Sequence, residues 1–302
     1  MRLAEPFAIT LASALALSAC SMNNTPERPE VHGHRGCRGL LPENSLPAFL
    51  KAAELGVDWL EMDVVISADG EVIVSHEPWM DHRICRTEEG DGIPAAEEQN
   101  HNLYRMTVQE IRAFDCGSVR HPDFPEQMPS ETYKPTLAEV VENVEQEAMM
   151  YGWGVQSFNI EIKSDPAHYG TMQPQPEEFA RIVLDRISAL GITERCLIQS
   201  FDPAVLRAVR ELAEDVPVAL LVEHAGDMAN DLERLGFNPD YYSAEFTSVD
   251  AVLVAALRAR DIEPLVWTVN TTDDMRRMIA LGVNGIITDH PERLIAILDE
   301  TY

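Results

Sequence analysis

Positive charge is scarce in this sequence. Its 302 residues include 23 lysines and arginines against 51 aspartates and glutamates, so the formal net charge at pH 7 is −28. A protein this acidic repels nucleic acids and anionic membrane surfaces, and it favours neutral or cationic partners. The composition therefore argues against a nucleic-acid-binding function, and no pattern in the sequence implies a protein partner.

The apolar N terminus lacks the length of a membrane-spanning helix. Residues 1–20, MRLAEPFAITLASALALSAC, carry a short apolar run that ends in small residues, as a secretory signal does. The tetrad Leu17-Ser18-Ala19-Cys20 resembles a bacterial lipobox, in which the cysteine is lipidated and becomes the first mature residue. We expect a signal peptide over 1–19, a lipidated tether over 20–30 and a periplasmic protein anchored to the outer membrane of the bacterial envelope. An ordinary cleaved signal is the alternative.

Cysteine is also scarce, and its spacing excludes common metal motifs. The chain has no CxxC pair and no Cys/His zinc spacing. After export, Cys37, Cys85, Cys116 and Cys196 would lie in an oxidising space, where four thiols allow three full pairings that spacing alone does not separate. Because Cys85 and Cys116 flank the one long irregular segment, we predict a disulfide between them and free thiols at the other two. Unpaired buried thiols are the alternative.

Alternating strand and helix patterns are abundant. With 45% hydrophobic residues the chain can bury a substantial core. The candidate strands are 31–35, 59–66, 71–76, 157–163, 196–201, 216–223, 240–246, 263–270 and 284–289, and candidate helices include 46–55, 136–147, 177–190, 203–214, 248–260 and 271–281. This alternation predicts an α/β fold, a TIM-type (β/α)₈ barrel over residues 31–302. Nine candidates compete for eight places, and we expect 240–246 to be irregular or an edge piece.

One segment interrupts the alternation. Residues 77–135 contain turn clusters, charged residues and several prolines around one candidate helix at 107–115. They follow the third candidate strand, and long loops inside compact domains are usually functional. We therefore expect an insertion over about 77–135 that roofs the active site.

Polar side chains collect at the C-terminal ends of the candidate strands. They include His34, Arg35, Glu61, Asp63, His76, Glu161, Lys163, Gln199, Trp267, Asn270 and Asp289. In a parallel barrel these ends form the face on which catalytic groups gather. Charges placed only for solubility would instead scatter over helices and loops.

Two carboxylate-bearing strands predict a metal site. Glu61 and Asp63 are two residues apart, so a strand points both side chains to the same side, and the same spacing relates Glu161 to Lys163. Three inward carboxylates would repel one another unless a cation lies among them, and oxygen ligands suit Ca²⁺ or Mg²⁺. We predict one such divalent cation on Glu61, Asp63 and Glu161. A solvated polar strand face is the alternative.

Histidine and cationic side chains complete the predicted site. We expect His34 and His76 on neighbouring barrel strands, on either side of the carboxylates, where two imidazoles can take and give a proton near neutral pH. A structural role for either histidine is the alternative. Arg35 and Lys163 lie where an anionic group could bind, and the planar guanidinium suits a phosphate.

Seven motifs, in this order over nearly all of residues 31–302, resemble the glycerophosphodiester phosphodiesterase family. They are HGHRG…LLPENS, LEMDV, VIVSHE, NIEIK, IQSF, WTVN and GIITDHP. The resemblance implies a TIM-type barrel and a divalent cation held by Glu61, Asp63 and Glu161. It also implies that His34 and His76 act as general acid and base.

The same resemblance implies the substrate contacts and the reaction. It places Arg35 and Lys163 on the phosphate and Glu43 and Asn44 near the metal and glycerol, and we add Trp267 of the WTVN motif to the substrate-binding residues. The predicted function is metal-dependent hydrolysis of a glycerophosphodiester to sn-glycerol 3-phosphate and an alcohol. The alternatives are a phospholipase-type diesterase acting on lysophospholipids and a surface lipoprotein that binds headgroups without turnover.

Overall fold

The computed structural model describes residues 27–302. The predicted signal peptide, Cys20 and the tether up to residue 26 lie outside the described residues. The strands are β1 (Glu30–Gly33), β2 (Trp59–Ile66), β3 (Val72–Val74), β4 (Ser157–Ile162), β5 (Cys196–Ser200), β6 (Val218–Val222), β7 (Tyr241–Glu245), β8 (Glu263–Trp267) and β9 (Gly285–Thr288). The helices are α1 (Leu46–Leu55), α2 (Val108–Arg112), α3 (Leu137–Tyr151), α4 (Pro176–Ala189), α5 (Pro203–Leu212), α6 (Met228–Leu235), α7 (Ala251–Arg258), α8 (Thr272–Leu281) and α9 (Pro291–Thr301). Among residues 27–302, no helix is long and apolar enough to cross a membrane.

The strands form a closed barrel. The sheet has nine strands in the order β1-β9-β8-β7-β6-β5-β4-β2-β3, and a further pairing of β1 with β2 closes it. All pairs are parallel except β2 with β3, so eight parallel strands make up the barrel and β3 lies outside it. Helices alternate with most of these strands along the chain. The predicted TIM-type (β/α)₈ barrel is confirmed.

The strand expected to be irregular is a regular member of the barrel. Residues Tyr241–Glu245 form β7, which pairs with both β6 and β8, so the expectation for 240–246 was wrong. The additional strand is β3, which pairs antiparallel to β2, with Val74 opposite Val64. Only five residues separate β2 from β3, whereas a parallel crossover needs about a dozen. A hairpin was therefore the only connection available.

The barrel interior has an apolar floor below a polar layer. Leu197, Leu265 and Ile287 are buried together inside the barrel. Leu197 and Leu265 each lie two residues before a side chain of the upper layer on the same strand, namely Gln199 and Trp267. Because side chains two apart on a strand share a face, these leucines lie below Gln199 and Trp267. Asp289 of the upper layer follows the end of β9.

The insertion between β3 and α3 has its own small core. Met80, Ile84, Ile93, Leu103 and Ile111 are buried together there. The predicted helix at 107–115 is the shorter α2, which begins at a capping box. A disulfide joins Cys85 to Cys116, the predicted pair, and Cys37 and Cys196 are buried free thiols.

Removing this disulfide should lower the free energy of unfolding. It links residues 31 positions apart, and the chain-entropy model assigns a loop of this size roughly 4 kcal/mol. The double variant C85S/C116S should therefore unfold at a lower urea concentration than the wild type. Dithiothreitol should shift the wild-type midpoint to that of the variant and leave the variant unchanged. Equal midpoints for the two oxidised proteins would contradict the prediction.

Candidate active site

The loop after β1 positions the first two polar residues. The backbone N–H of His34 donates to the Thr288 carbonyl at 2.9 Å, which continues the pairing of β1 with β9. Arg35 and Gly36 then adopt φ values of 49° and 85°, and a Cβ on Gly36 would lie 2.6 Å from the Ala48 backbone. Only glycine fits at position 36, where both the positive φ and the close approach of Ala48 exclude a side chain. The turn lets the backbone N–H of Arg35 donate to the Glu61 carboxylate at 2.9 Å.

Three buried carboxylates meet beneath this loop. Oxygens of Glu61, Asp63 and Glu161 all lie within 4.8 Å of one another, because β2 and β4 pair with Asp63 opposite Glu161. Burial and the charges of Asp63 and Glu161 raise the pKa of Glu61 well above its usual range. Burial also raises the pKa of Glu161, against the effect of Lys163. Without a cation, the surroundings therefore disfavour the simultaneous ionisation of all three carboxylates.

The cluster fits a divalent cation. Among the described residues, the buried Oδ1 of Asp63 has no hydrogen-bond partner, while Oδ2 accepts from the Asn44 side-chain amide at 2.8 Å. Both oxygens of Glu61 are oriented by donors, Oε1 by the Gln199 amide at 2.9 Å and Oε2 by the Arg35 N–H. An oxygen-only set of oriented carboxylates with one unsatisfied atom is typical of Ca²⁺ or Mg²⁺ ligands.

His34 is held by a hydrogen-bond network that includes Arg38, a residue not among the predicted site residues. Its Nδ1 lies 2.7 Å from Asp289 Oδ1, which leaves Nε2 4.0 Å from Glu61. Asp289 also accepts from Arg38 at 2.7 and 3.1 Å and from Asn270 at 2.7 Å. Burial lowers the pKa of His34 to about 4, with Arg38 and Arg35 adding to the effect and Asp289 opposing it. The overlooked signal was the second arginine of HRGCRG.

The two predicted phosphate ligands are paired with carboxylates. Arg35 Nη1 donates to Glu43 at 2.7 Å, and its Nε lies 3.1 Å from Asp63. Lys163 Nζ donates to Glu161 at 2.7 Å and lies 3.7 Å from Asp63. Burial opposes ionisation of Glu43, but Arg35 and Arg38 still lower its pKa to about 2. Glu43 thus holds the arginines in place, and Asn44 holds Asp63.

His76 reaches the site by a different route from the one expected. It was predicted on a barrel strand next to that of His34, but it lies two residues beyond β3, outside the barrel. The hairpin runs back along β2, and the N–H of Ser75 donates to the Asp63 carbonyl at 2.9 Å, which brings His76 beside the carboxylates. Its Nδ1 lies 2.7 Å from Glu77, and the side chain is 30% exposed.

Two adjoining cavities open over these residues. An inner cavity of about 210 Å³ is lined by His34, Arg35, Glu61, Gln199 and Trp267, among others. An outer cavity of about 420 Å³ extends toward the insertion and α5. Four residues line both cavities, namely His76, Glu161, Lys163 and Phe201. The Trp267 indole donates to the Ser243 carbonyl at 2.9 Å and contacts Phe201 edge-on, so it forms a fixed wall of the inner cavity.

Comparisons with known proteins agree with this architecture. Residues 34–293 match the model of the glycerophosphoryl diester phosphodiesterase family. A glycerophosphodiester phosphodiesterase of Caldanaerobacter subterraneus subsp. tengcongensis is 32% identical over 274 residues, which cover 89% of this chain and 97% of that protein.

Solved structures agree as well. The crystal structure of a candidate glycerophosphoryl diester phosphodiesterase from Silicibacter pomeroyi superposes with a TM-score of 0.80 at 31% identity, covering 91% of this chain and 94% of that one. A phosphodiesterase of Oleispira antarctica, solved in complex with the product sn-glycerol-3-phosphate, superposes with a TM-score of 0.70 at 22% identity and covers 90% and 97%. At this identity the second structure supports the fold alone.

Proposed function

The chain belongs to the glycerophosphoryl diester phosphodiesterase family, and from that premise we propose that it hydrolyses glycerophosphodiesters to sn-glycerol 3-phosphate and an alcohol with a divalent cation and two histidines. The observation that carries the proposal is the buried group Glu61, Asp63 and Glu161, which lies beside His34 and His76 in one cavity system. The relative from Caldanaerobacter subterraneus, a glycerophosphodiester phosphodiesterase that is 32% identical to this chain, supports the same reaction.

Glu61, Asp63 and Glu161 would hold the cation, Ca²⁺ or Mg²⁺. When bound, this ion supplies Lewis-acid polarisation of a phosphate oxygen and a template for the substrate. The side chains of Asn44 and Gln199 keep two of the three carboxylates in the orientation that binding requires.

The remaining residues bind the phosphate and move protons. Arg35 and Lys163 line the inner cavity, so their charges would offset the negative charge that develops on the phosphate oxygens. One histidine would take the proton of the nucleophile, which is either water or the substrate's own 2-hydroxyl, and the other would protonate the leaving alkoxide. If the 2-hydroxyl attacks, a water molecule then opens the cyclic phosphate. The Asp289 carboxylate accepts a hydrogen bond from Nδ1–H of His34. Nε2 is therefore the ring nitrogen that would exchange a proton with the substrate.

Product analysis tests the proposed reaction. The purified protein with Mg²⁺ or Ca²⁺ should release sn-glycerol 3-phosphate from glycerophosphocholine, whereas lysophosphatidylcholine should be a poor substrate. Faster turnover of lysophosphatidylcholine would instead identify a phospholipase-type diesterase. Binding of glycerophosphocholine without any product would identify a headgroup-binding lipoprotein.

We also propose that the mature protein begins at a lipidated Cys20 and is attached to the outer membrane. Several acyl chains anchor a protein stably, whereas a single chain is marginal. Intact-mass analysis of protein from the membrane fraction should show cleavage before Cys20 and the added mass of the acyl groups. The C20S variant should keep its signal peptide or appear without lipid. An unmodified N terminus after cleavage elsewhere would contradict the proposal.

A further inference from the structure

The outer cavity has a composition that the proposed chemistry does not explain. Its lining includes the aromatic side chains of Trp79, His168 and Phe201 and the carboxylates of Asp165 and Asp202. We propose that this cavity binds the alcohol half of the substrate and selects alcohols that carry a positive charge, such as those with a quaternary or primary ammonium group. The inference rests on the proposed function, which it extends to a substrate class.

The position of the cavity assigns it to the leaving alcohol. The inner and outer cavities meet at His76, Glu161, Lys163 and Phe201, three of which belong to the proposed catalytic group. A phosphate at this junction would direct one ester arm into each cavity. The inner cavity, of about 210 Å³, has space for the small glycerol arm, and the outer cavity, of about 420 Å³, is left for the alcohol.

Aromatic rings form part of the outer cavity. Trp79 comes from the insertion and lies edge-on to His168, with 6.1 Å between the ring centroids. Phe201 follows β5 and is 37% exposed. An ammonium group is attracted to the face of an aromatic ring, and tryptophan is the best of the aromatic partners. Rings from separate segments therefore line the space where the alcohol would lie. The Lys163 ammonium lies 5.9 Å from the centroid of the Phe201 ring, so Trp79 is the main ring left for a ligand cation.

The carboxylates of the cavity favour a cation further. Asp202 is only 5% exposed, yet its oxygens accept from neutral groups, namely the hydroxyls of Ser164 at 2.6 Å and Tyr169 at 2.5 Å and the N–H of Ala204 at 2.9 Å. Within residues 27–302, neither Asp202 nor Asp165 takes part in an ion pair. A largely buried carboxylate with only neutral partners gains from a cation brought by a ligand.

The cationic side chains that line the outer cavity do not neutralise the carboxylates of Asp165 and Asp202. Lys163 is paired with Glu161 at the junction, where the phosphate would lie. The Arg234 side chain is 60% exposed and lies 3.8 Å from Asp231. The outer cavity is thus lined by aromatic rings and by two carboxylates that form no ion pair within residues 27–302, a combination that suits an ammonium group better than a neutral polyol.

Matched substrates separate charge from shape. Glycerophosphocholine and glycerophosphoethanolamine should be hydrolysed with a kcat/KM roughly tenfold higher than the uncharged 3,3-dimethylbutyl diester, which has the shape of the choline ester without its charge. Glycerophosphoglycerol provides a neutral polyol for comparison. All four substrates have the same glycerophosphate half.

Two variants locate the recognition. D202N removes the charge but retains a good helix N-cap for α5, and W79L removes the tryptophan ring. Each should lower kcat/KM for glycerophosphocholine by roughly tenfold and change it less than about threefold for the 3,3-dimethylbutyl diester. D215N makes the same charge change at an exposed position before β6 and should leave both substrates unaffected. Circular dichroism establishes that each variant is folded, and if W79L fails to fold, F201L replaces it.

The outcomes are distinguishable. Equal kcat/KM for the choline and dimethylbutyl diesters, or an equal loss on both substrates in D202N, would overturn the headgroup assignment while leaving the phosphodiesterase function in place. A wild-type preference for glycerophosphoglycerol would also overturn it. The absence of hydrolysis of all four diesters would overturn the proposed function together with this inference.

Discussion

Replacing His34 with glutamine should lower kcat by roughly 10²–10⁴-fold, the contribution expected of a general acid or base. Glutamine keeps a polar side chain of moderate size in the network of Asp289 and Arg38, so the variant should remain folded. It has no ring nitrogen that can exchange a proton with the substrate. H76Q should show a loss of similar size, although His76 lies outside the barrel.

A change of leaving group then separates the two roles. A substrate whose leaving group is p-nitrophenol needs no proton from the enzyme, because phenolate leaves readily at neutral pH. The variant that lacks the general acid should therefore recover most of its activity on this substrate, and the variant that lacks the general base should not. H224Q alters an exposed histidine after β6 and should behave as the wild type on both substrates. Near-normal kcat/KM for H34Q or H76Q would show that the histidine is structural.

Loss of the cation should lower the activity about as much as loss of either histidine. The E61Q variant, or the wild-type protein in EDTA, should lose about 4 kcal/mol of transition-state stabilisation, or roughly 10³-fold in kcat/KM. E223Q changes an exposed glutamate just after β6 and is the matched control. Restoration of the EDTA-treated wild type by Ca²⁺ or Mg²⁺, but not of E61Q, is the expected result.

The same variant has a readout that is independent of catalysis. Because burial and neighbouring carboxylates raise the pKa of Glu61, its ionised form is disfavoured in the folded, metal-free protein. Metal-free E61Q should consequently be at least as stable as the metal-free wild type at pH 7. Added Ca²⁺ or Mg²⁺ should raise the Tm of the wild type but not that of E61Q. Full activity of E61Q in EDTA would rule out the metal assignment.

Local periodicity was sufficient for the barrel and for the core of the site. Strand spacing alone places Glu61 and Asp63 on one side of β2 and Glu161 on the same side of β4, and parallel register then brings the three together. The alternation of strands and helices likewise predicted the closed barrel. These inferences hold because the side-chain period of a strand and the handedness of its connections are local properties of the chain.

Local patterns could not show which strands pair or where their ends meet. The candidate strand 71–76 was expected in the barrel, which placed His76 on the wrong element, because β3 pairs antiparallel to β2 and lies outside the barrel. The contacts of Arg38 with Asp289 join residues 251 positions apart, and no local period links them. Trp79, His168 and Asp202 likewise come from separate segments that meet only in the outer cavity.

The sequence by itself therefore determined the barrel and the three carboxylates of the metal site, since each follows from periodicity within a strand or from a short motif. Only the tertiary structure decided that His76 arrives on a hairpin, that Asp289 and Arg38 orient His34, and that an aromatic and acidic cavity adjoins the phosphate position. The physical reason is that side chains far apart in the chain become neighbours only when the barrel closes and the insertion packs against it.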